Sequence, residues 1–219
     1  MTARKLVLYS EQLYPETKMI DQRLLTLIDK DHPRIGYIPS KGKKESTADG
    51  YYRARQSYYA RYGVDLSPYV NLDEGYDPKK LDALLASDAI HLSGGNTYYF
   101  LHWLKERNLV ETLRHYVAQG GVLIGVSAGA ILMTPEIGTA ALCGDAKFGA
   151  VVGLDALSLV DFAIVPHFGK IEATLSDLQT YAQCHITPVY ACPDGAGIVV
   201  EDDKIEFFGD VVNISFVQE

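Results

Sequence analysis

The stretch Val122 to Met133, VLIGVSAGAILM, constrains this chain more than any other. A buried-strand pattern runs through Gly125-Val126-Ser127-Ala128-Gly129 into a helical one, which makes Ser127 the bend of a strand-to-helix elbow. A serine there is forced into a cramped backbone, so the residues two before and two after must be nearly without side chains. Gly125 and Gly129 meet that need. The following helix points its unpaired N–H groups and the positive end of its dipole at the serine, which suits an oxygen that turns negative during acyl transfer. Ser127 is therefore a candidate nucleophile; the plain rival is a tight turn filled with small residues for packing.

The rest of the chain supplies the sheet that such an elbow needs. Strands are expected at Lys5 to Ser10, Arg34 to Pro39, Asp65 to Leu72 and Ala89 to Leu92, with helices over Met19 to Lys30, Tyr51 to Tyr62 and Pro78 to Ala86. Ser40 to Gly50 reads as a polar loop, and the tyrosines of the second helix as a packing face. Ser93-Gly94-Gly95-Asn96-Thr97 is a glycine turn opening a helix through Glu106; Leu109 to Gln119 is helical and Gly120-Gly121 ends it. Repeated strand-helix units imply a mostly parallel sheet with helices on both faces, functional loops lying at the carboxyl ends of the strands. Beyond Met133, residues 134 to 153 read as a small hairpin or loop. Leu157 to Val165 follows as a strand, Ile171 to Gln183 as a helix, Pro188 to Cys192 as a strand, and Gly197 to Val217 as a meander turning at Asp202-Asp203 and near Gly209-Asp210. With no repeat or linker to divide it, the chain is expected to be a single α/β domain, residues 1–219.

Composition narrows the partners. Twenty basic against 28 acidic residues give a net charge of -8, which argues against nucleic acid and anionic membranes. The longest apolar run is interrupted by glycine and too short to span a bilayer, so no membrane partner is expected. The amino terminus lacks the apolar core of a secretory signal, and Cys143, Cys184 and Cys192 form no C-x-x-C pair. The expectation is a cytoplasmic protein with no structural zinc and ordinary buried or partly buried thiols.

A serine hydroxyl needs a base within hydrogen-bond reach, and histidine is the usual one. His102 and His115 fall within helices, His32 precedes a strand, and His185 lies on the approach to the Pro188 strand, at the opposite edge of the sheet. His91 and His167 remain, both at strand ends on the side where Ser127 emerges, with His167 favoured because it lies beyond its strand. A carboxylate must then fix the imidazole; Asp194, leaving a strand in Pro193-Asp194-Gly195, and Asp145 both compete. Ala128 and the Gly94-Gly95-Asn96 loop offer N–H donors for an oxyanion, and no Lys-Ser or Lys-Thr follows that loop to make a Walker-type phosphate site.

Ser93-Gly94-Gly95-Asn96-Thr97, Gly125-Val126-Ser127-Ala128-Gly129-Ala130, Val165-Pro166-His167-Phe168 and Pro193-Asp194-Gly195 stand in the order and approximate spacing of one family. Over nearly its whole length the chain resembles the dipeptidase E and cyanophycinase family of serine peptidases. The resemblance implies a three-layer fold like that of class I glutamine amidotransferases, with serine at the elbow in place of cysteine. It also implies Ser127 as nucleophile, His167 as base, Gly95 and Ala128 as oxyanion donors, and Asn96 in the substrate-binding loop. Two departures stand out. Family members commonly carry glutamate where Asp194 stands, with an aspartate downstream of the elbow, here Asp145, as the other claimant. Relatives acting on aspartyl peptides use an arginine after the histidine, whereas Gly169 to Gln183 holds only Lys170.

The expected function is hydrolysis of a peptide or amide bond in a small peptide through an acyl-enzyme, with no metal or organic cofactor, in a chain that could pair as a homodimer. The alternative is a non-catalytic module that keeps the elbow for packing and holds a small anion or peptide at the Gly-Gly-Asn helix end.

Overall fold

The computed structural model describes residues 4–41, 46–149 and 153–215. Its centre is the strand expected before the elbow, β5 (Val122–Val126), every residue of which is buried. Unbroken apolar sequence suits a strand covered on both faces. Beside it lie β1 (Lys5–Tyr9) and β4 (Ala89–Leu92), with β2 (Arg34–Ile38) and β3 (Asp65–Tyr69) outside β4; these five strands run parallel. The hairpin β8 (Gly197–Glu201) and β9 (Lys204–Phe208) extends the other side antiparallel, giving a seven-stranded sheet in the order β3-β2-β4-β5-β1-β8-β9.

Alternation along the strands divides the core. Val7, Tyr9, Ile35, Tyr37 and Ile124 pack with α1 (Lys18–Ile28) and α2 (Ser46–Ala60), through Ile20, Leu24 and Leu27 and through Tyr52, Tyr58 and Tyr59. Leu6, Leu8, Ile38, Ile90, Leu92 and Leu123 face α3 (Leu81–Leu85), α4 (Thr97–Glu106) and α5 (Leu109–Ala118). The result is the expected α/β three-layer arrangement, and the tyrosines of α2 do form a packing face. That helix begins at Ser46, inside the expected polar loop. Residues 46–50, Ser-Thr-Ala-Asp-Gly, carry no apolar repeat to signal a helical turn, and 42–45 lie outside the described residues.

A second sheet was not expected. β6 (Ala163–Pro166), β7 (Val189–Cys192) and β10 (Val212–Ile214) form a separate three-stranded sheet in the order β10-β7-β6, backed by α7 (Leu175–His185) through Leu178 and Ala182. The expected tail meander is therefore divided: its first turn makes the β8–β9 hairpin, while the second sends β10 to the other sheet. The strand expected from Leu157 is shorter, starting at Ala163. Leu157, Phe162 and their apolar neighbours are buried in an irregular connection whose N–H groups bond to Leu132, Met133 and Thr134, and a short buried run reads the same in either conformation. Residues 134–149 form a loop with one 3-10 turn, Gly138–Ala140. His185 ends α7, its ring stacked on Tyr181, rather than lying at an edge of the main sheet. No helix among the described residues is long and apolar enough to cross a membrane.

Candidate active site

The register that aligns Tyr9 with Val126 and Leu92 with Gly125 brings the carboxyl ends of β1, β5 and β4 together, so Ser10, Ser127 and Ser93 emerge side by side. Ser127 opens the short helix α6 (Ala128–Ile131), with φ 51° and ψ -109°. Backbone this far from the allowed regions costs about 1–3 kcal/mol in a residue with a Cβ. Its N–H is held by Tyr9 O at 3.0 Å, and its carbonyl takes the N–H groups of Ala130 and Ile131. Close approach explains both flanking glycines. A Cβ on Gly125 would lie 2.4 Å from Gly129 O, and one on Gly129 would lie 2.2 Å from Leu92 O, in each case against backbone that cannot move aside.

His167 and Asp194 arrive from the second sheet, one residue beyond β6 and two beyond β7, whose ends are paired at Pro166 and Cys192. His167 Nε2 lies 2.8 Å from Ser127 Oγ, and His167 Nδ1 lies 2.6 Å from Asp194 Oδ1. With the carboxylate accepting from Nδ1–H, the Nε2 lone pair faces the serine hydroxyl. Burial pushes the Asp194 carboxyl up, but hydrogen bonds from Lys170 and His167 outweigh it and hold it below the usual carboxylate range. Lys170 Nζ lies 2.6 Å from Asp194 Oδ2, so each carboxylate oxygen has its own cationic or N–H partner.

The rival residues are used elsewhere. His91 is buried beneath α2, stacked on Tyr37, with Nδ1 2.9 Å from Tyr59 OH; burial, then the Arg55 charge, push it well below its ordinary value. Asp145 Oδ2 accepts the Thr97 N–H at 2.8 Å, which caps α4. Asn96 Oδ1 accepts the Tyr99 N–H at 2.8 Å while its Nδ2 donates to Ala146 O at 2.8 Å, fastening the 145–146 loop to the same helix end. An anion at the Gly-Gly-Asn helix end would therefore meet the Asp145 carboxylate already in place.

Gly95, at φ 136°, lies in the turn before α4, and the adjacent Gly94 passes 3.5 Å (measured from an ideal Cβ) from Ser127 Cβ. The Gly129 N–H goes to Ser93 O, whereas Ala128, in the first turn of α6, has no acceptor within its own helix. The glycine turn and the elbow thus pass close to one another at Ser127.

Two supports went unread in the sequence. Ser10, fully buried, accepts the His167 N–H at 2.8 Å and donates to Cys192 O at 2.9 Å, tying β1 to the two loops that carry the histidine and the aspartate. Ser40, beyond β2, donates through Oγ to Gly94 O at 2.8 Å and through N–H to Ser93 Oγ at 2.7 Å, which fixes the glycine turn. The signal was available in principle, since serines follow the carboxyl ends of β1, β2, β4 and β5 alike. Of the cysteines, Cys192 is buried and Cys143 half-buried, both pushed up to about 12 chiefly by burial, while Cys184 is exposed, against expectation. Among the described residues, no group of three or more His, Cys, Asp and Glu side chains could share a metal ion.

Compared with known proteins, the chain matches the sequence model of peptidase family S51 over residues 6–208. It is 30% identical over 141 residues to peptidase E of Shewanella putrefaciens, covering 61% of this chain and 58% of that relative, so the chain spans less than two thirds of that relative's length. It is 29% identical over 181 residues to peptidase E of Shewanella sp. strain W3-18-1, covering 79% of this chain and 73% of the other. Its fold matches the crystal structure of a peptidase from an acI-B1 Actinobacterium with a TM-score of 0.69 at 16% identity, over 100% of this chain and 96% of that one.

Proposed function

The chain belongs to peptidase family S51, and from that premise we propose that it hydrolyses a peptide or amide bond in a small peptide through an acyl-enzyme on Ser127. The observation that carries this reading is the continuous relay from Ser127 Oγ to His167 Nε2 and from His167 Nδ1 to Asp194 Oδ1. His167 takes the Ser127 proton as Oγ attacks the carbonyl carbon, and the imidazolium so formed faces the Asp194 carboxylate, which stays ionised. The carbonyl oxygen, now negative, is received by the N–H groups of Ala128 and Gly95. Nε2–H then protonates the leaving amine as the C–N bond breaks. Water, deprotonated by the same nitrogen, attacks the ester carbonyl and releases the acid and Ser127.

Asp194 is the acid in this scheme because Asp145 serves α4, and Asn96 shapes the glycine turn as its cap. The test is labelling with a fluorophosphonate. The expected result is a single adduct on Ser127, absent in Ser127→Ala and strongly slowed in His167→Ala, with hydrolysis of a dipeptide library lost in both. An unlabelled Ser127 in folded protein would leave only the non-catalytic reading.

A further inference from the structure

The Gly95 N–H belongs to the same peptide unit as the Gly94 carbonyl. Such a unit is planar and trans, so its N–H points opposite its C=O, and whatever holds the oxygen also aims the hydrogen. Here the oxygen is held twice. Ser40 Oγ donates to Gly94 O at 2.8 Å, and Ser93 Oγ donates to it at 2.9 Å. Ser40 is itself placed by its own N–H, which bonds to Ser93 Oγ at 2.7 Å. The Gly95 N–H, by contrast, has no acceptor among the described residues, and Gly95 is exposed.

The chain is anchored on both sides of this unit. Before it, the Ser93 N–H bonds to Ile38 O at 3.0 Å and Ser93 O takes the Gly129 N–H at 3.1 Å; after it, Asn96 caps α4. Between those anchors the 94–95 plane can turn, because the rotation changes only Gly94 ψ and Gly95 φ and no Cβ resists it. Gly95 sits at φ 136°, and a Cβ there would collide with Ser40 Oγ. A reversed plane would put a carbonyl oxygen where the N–H stood, and an acceptor in that place repels a developing oxyanion. The hydroxyl bonds to Gly94 O are what separate the two orientations.

We propose that Ser40 is the positioning residue of the oxyanion site: its hydroxyl, seconded by that of Ser93, selects the orientation of the 94–95 peptide that presents the Gly95 N–H to the substrate carbonyl oxygen. Ser40 acts through Gly94 and takes no part in the relay. This role presupposes the hydrolytic reading of Ser127.

The test is the rate of fluorophosphonate labelling against pH, with kcat and KM for a dipeptide that the wild type cleaves, in full-length Ser40→Ala, Ser40→Thr and Ser93→Ala. As Ser127 Oγ attacks phosphorus, the phosphonyl oxygen takes the oxyanion position, so labelling reads that site without a substrate side chain. Ser40→Ala is expected to lower kcat and the plateau labelling rate roughly ten- to hundredfold, less than the loss of a whole oxyanion donor. KM should stay within about twofold, because the interaction is made in the transition state. The pH midpoint, which reports His167, should not move. Ser40→Thr keeps the hydroxyl and restores most of both rates, and Ser93→Ala lowers both in the same pattern. Should Ser40→Ala not fold, Ser93→Ala is judged on the same oxygen by the same criteria. Rates in Ser40→Ala within about threefold of wild type, a loss carried by KM, a displaced pH midpoint, or Ser40→Thr as slow as Ser40→Ala each overturns the role. A wild type that never labels removes the hydrolytic reading and this role with it, whereas a wild type that labels beside an unaffected Ser40→Ala overturns this role alone.

Discussion

Lys170 Nζ and His167 Nδ1 divide the Asp194 carboxylate between them, one at Oδ2 and one at Oδ1, each at 2.6 Å. Aspartate is one methylene shorter than the glutamate common at this position in the family that the chain resembles. A second tether on the far oxygen fixes the carboxylate plane so that Oδ1 stays on the imidazole. Lys170→Met is expected to lower kcat roughly tenfold with a smaller change in KM, and Lys170→Arg to restore most of the loss. Asp194 is held below its usual range in the folded protein, so its stabilisation is present above the unfolded value and lost as pH falls through the folded one. Losing the Lys170 hydrogen bond raises the folded value, so in Lys170→Met the acid unfolding transition should start at higher pH. An unaltered kcat together with an unmoved acid transition would show that the pair is ornamental.

The backbone at Ser127 predicts an opposition between stability and activity. Ser127→Ala and Ser127→Gly both remove the hydroxyl and should lower peptide hydrolysis by a factor on the order of 10⁴ or more. Only the glycine also removes the Cβ that makes φ 51°, ψ -109° costly. Set against the entropy that glycine adds to the unfolded chain, Ser127→Gly should still be about 1 kcal/mol more stable than Ser127→Ala in urea unfolding. Equal midpoints would mean the bend is not strained.

Much of this was legible because it rests on local rules. The elbow glycines, the alternation of Leu6, Val7, Leu8 and Tyr9 and the apolar face of α1 state their environments outright, and the strand-end positions of His167 and Asp194 were readable for the same reason. The separate sheet was not, since nothing local in Ala163–Pro166 or Val189–Cys192 says which strand each will pair with; that is decided by α7 and β10 packing around them. Asp145 was equally ambiguous, because a carboxylate looks the same in sequence whether it orients a histidine or caps a helix. Ser10 escaped notice because its partners, the His167 N–H and Cys192 O, lie more than 150 residues away along the chain.

Burial of His91 gives the fold a pH dependence of its own. Its folded pKa lies well below 6.5, through burial first and the Arg55 charge second. As pH falls below about 6.5, the unfolded chain binds a proton that the native state refuses, so stability declines, by up to about 1.4 kcal/mol per pH unit from this group. Glutamine stays neutral and can still accept from Tyr59 OH. Urea unfolding of wild type and His91→Gln at pH 7, 6 and 5 should give stabilities that converge toward acid. Parallel declines would contradict the assignment.

The buried Asp21 makes the last prediction. Its carboxylate accepts hydrogen bonds from Tyr9 OH at 2.9 Å, Tyr58 OH at 2.5 Å and Tyr62 OH at 2.8 Å, so α1, β1 and the end of α2 meet on one acceptor. Burial, before the bonds to Asp21, raises the pKa of Tyr58 and Tyr62, so both hydroxyls keep their protons and remain donors well above neutral pH. Asp21→Ala removes the acceptor and strands several hydroxyls, one of them fully buried, where water cannot easily replace it. Asp21→Asn keeps one acceptor oxygen but puts an NH₂ group among donors. Losses of about 3 kcal/mol for alanine and at least 1 kcal/mol for asparagine are expected from urea unfolding. Because β1 leads directly to Ser10 and Tyr9 O holds the Ser127 N–H, the alanine variant should also lose hydrolysis before it loses its helices on warming. Activity and helical signal melting together would show instead that the α1 side and the relay unfold as one unit.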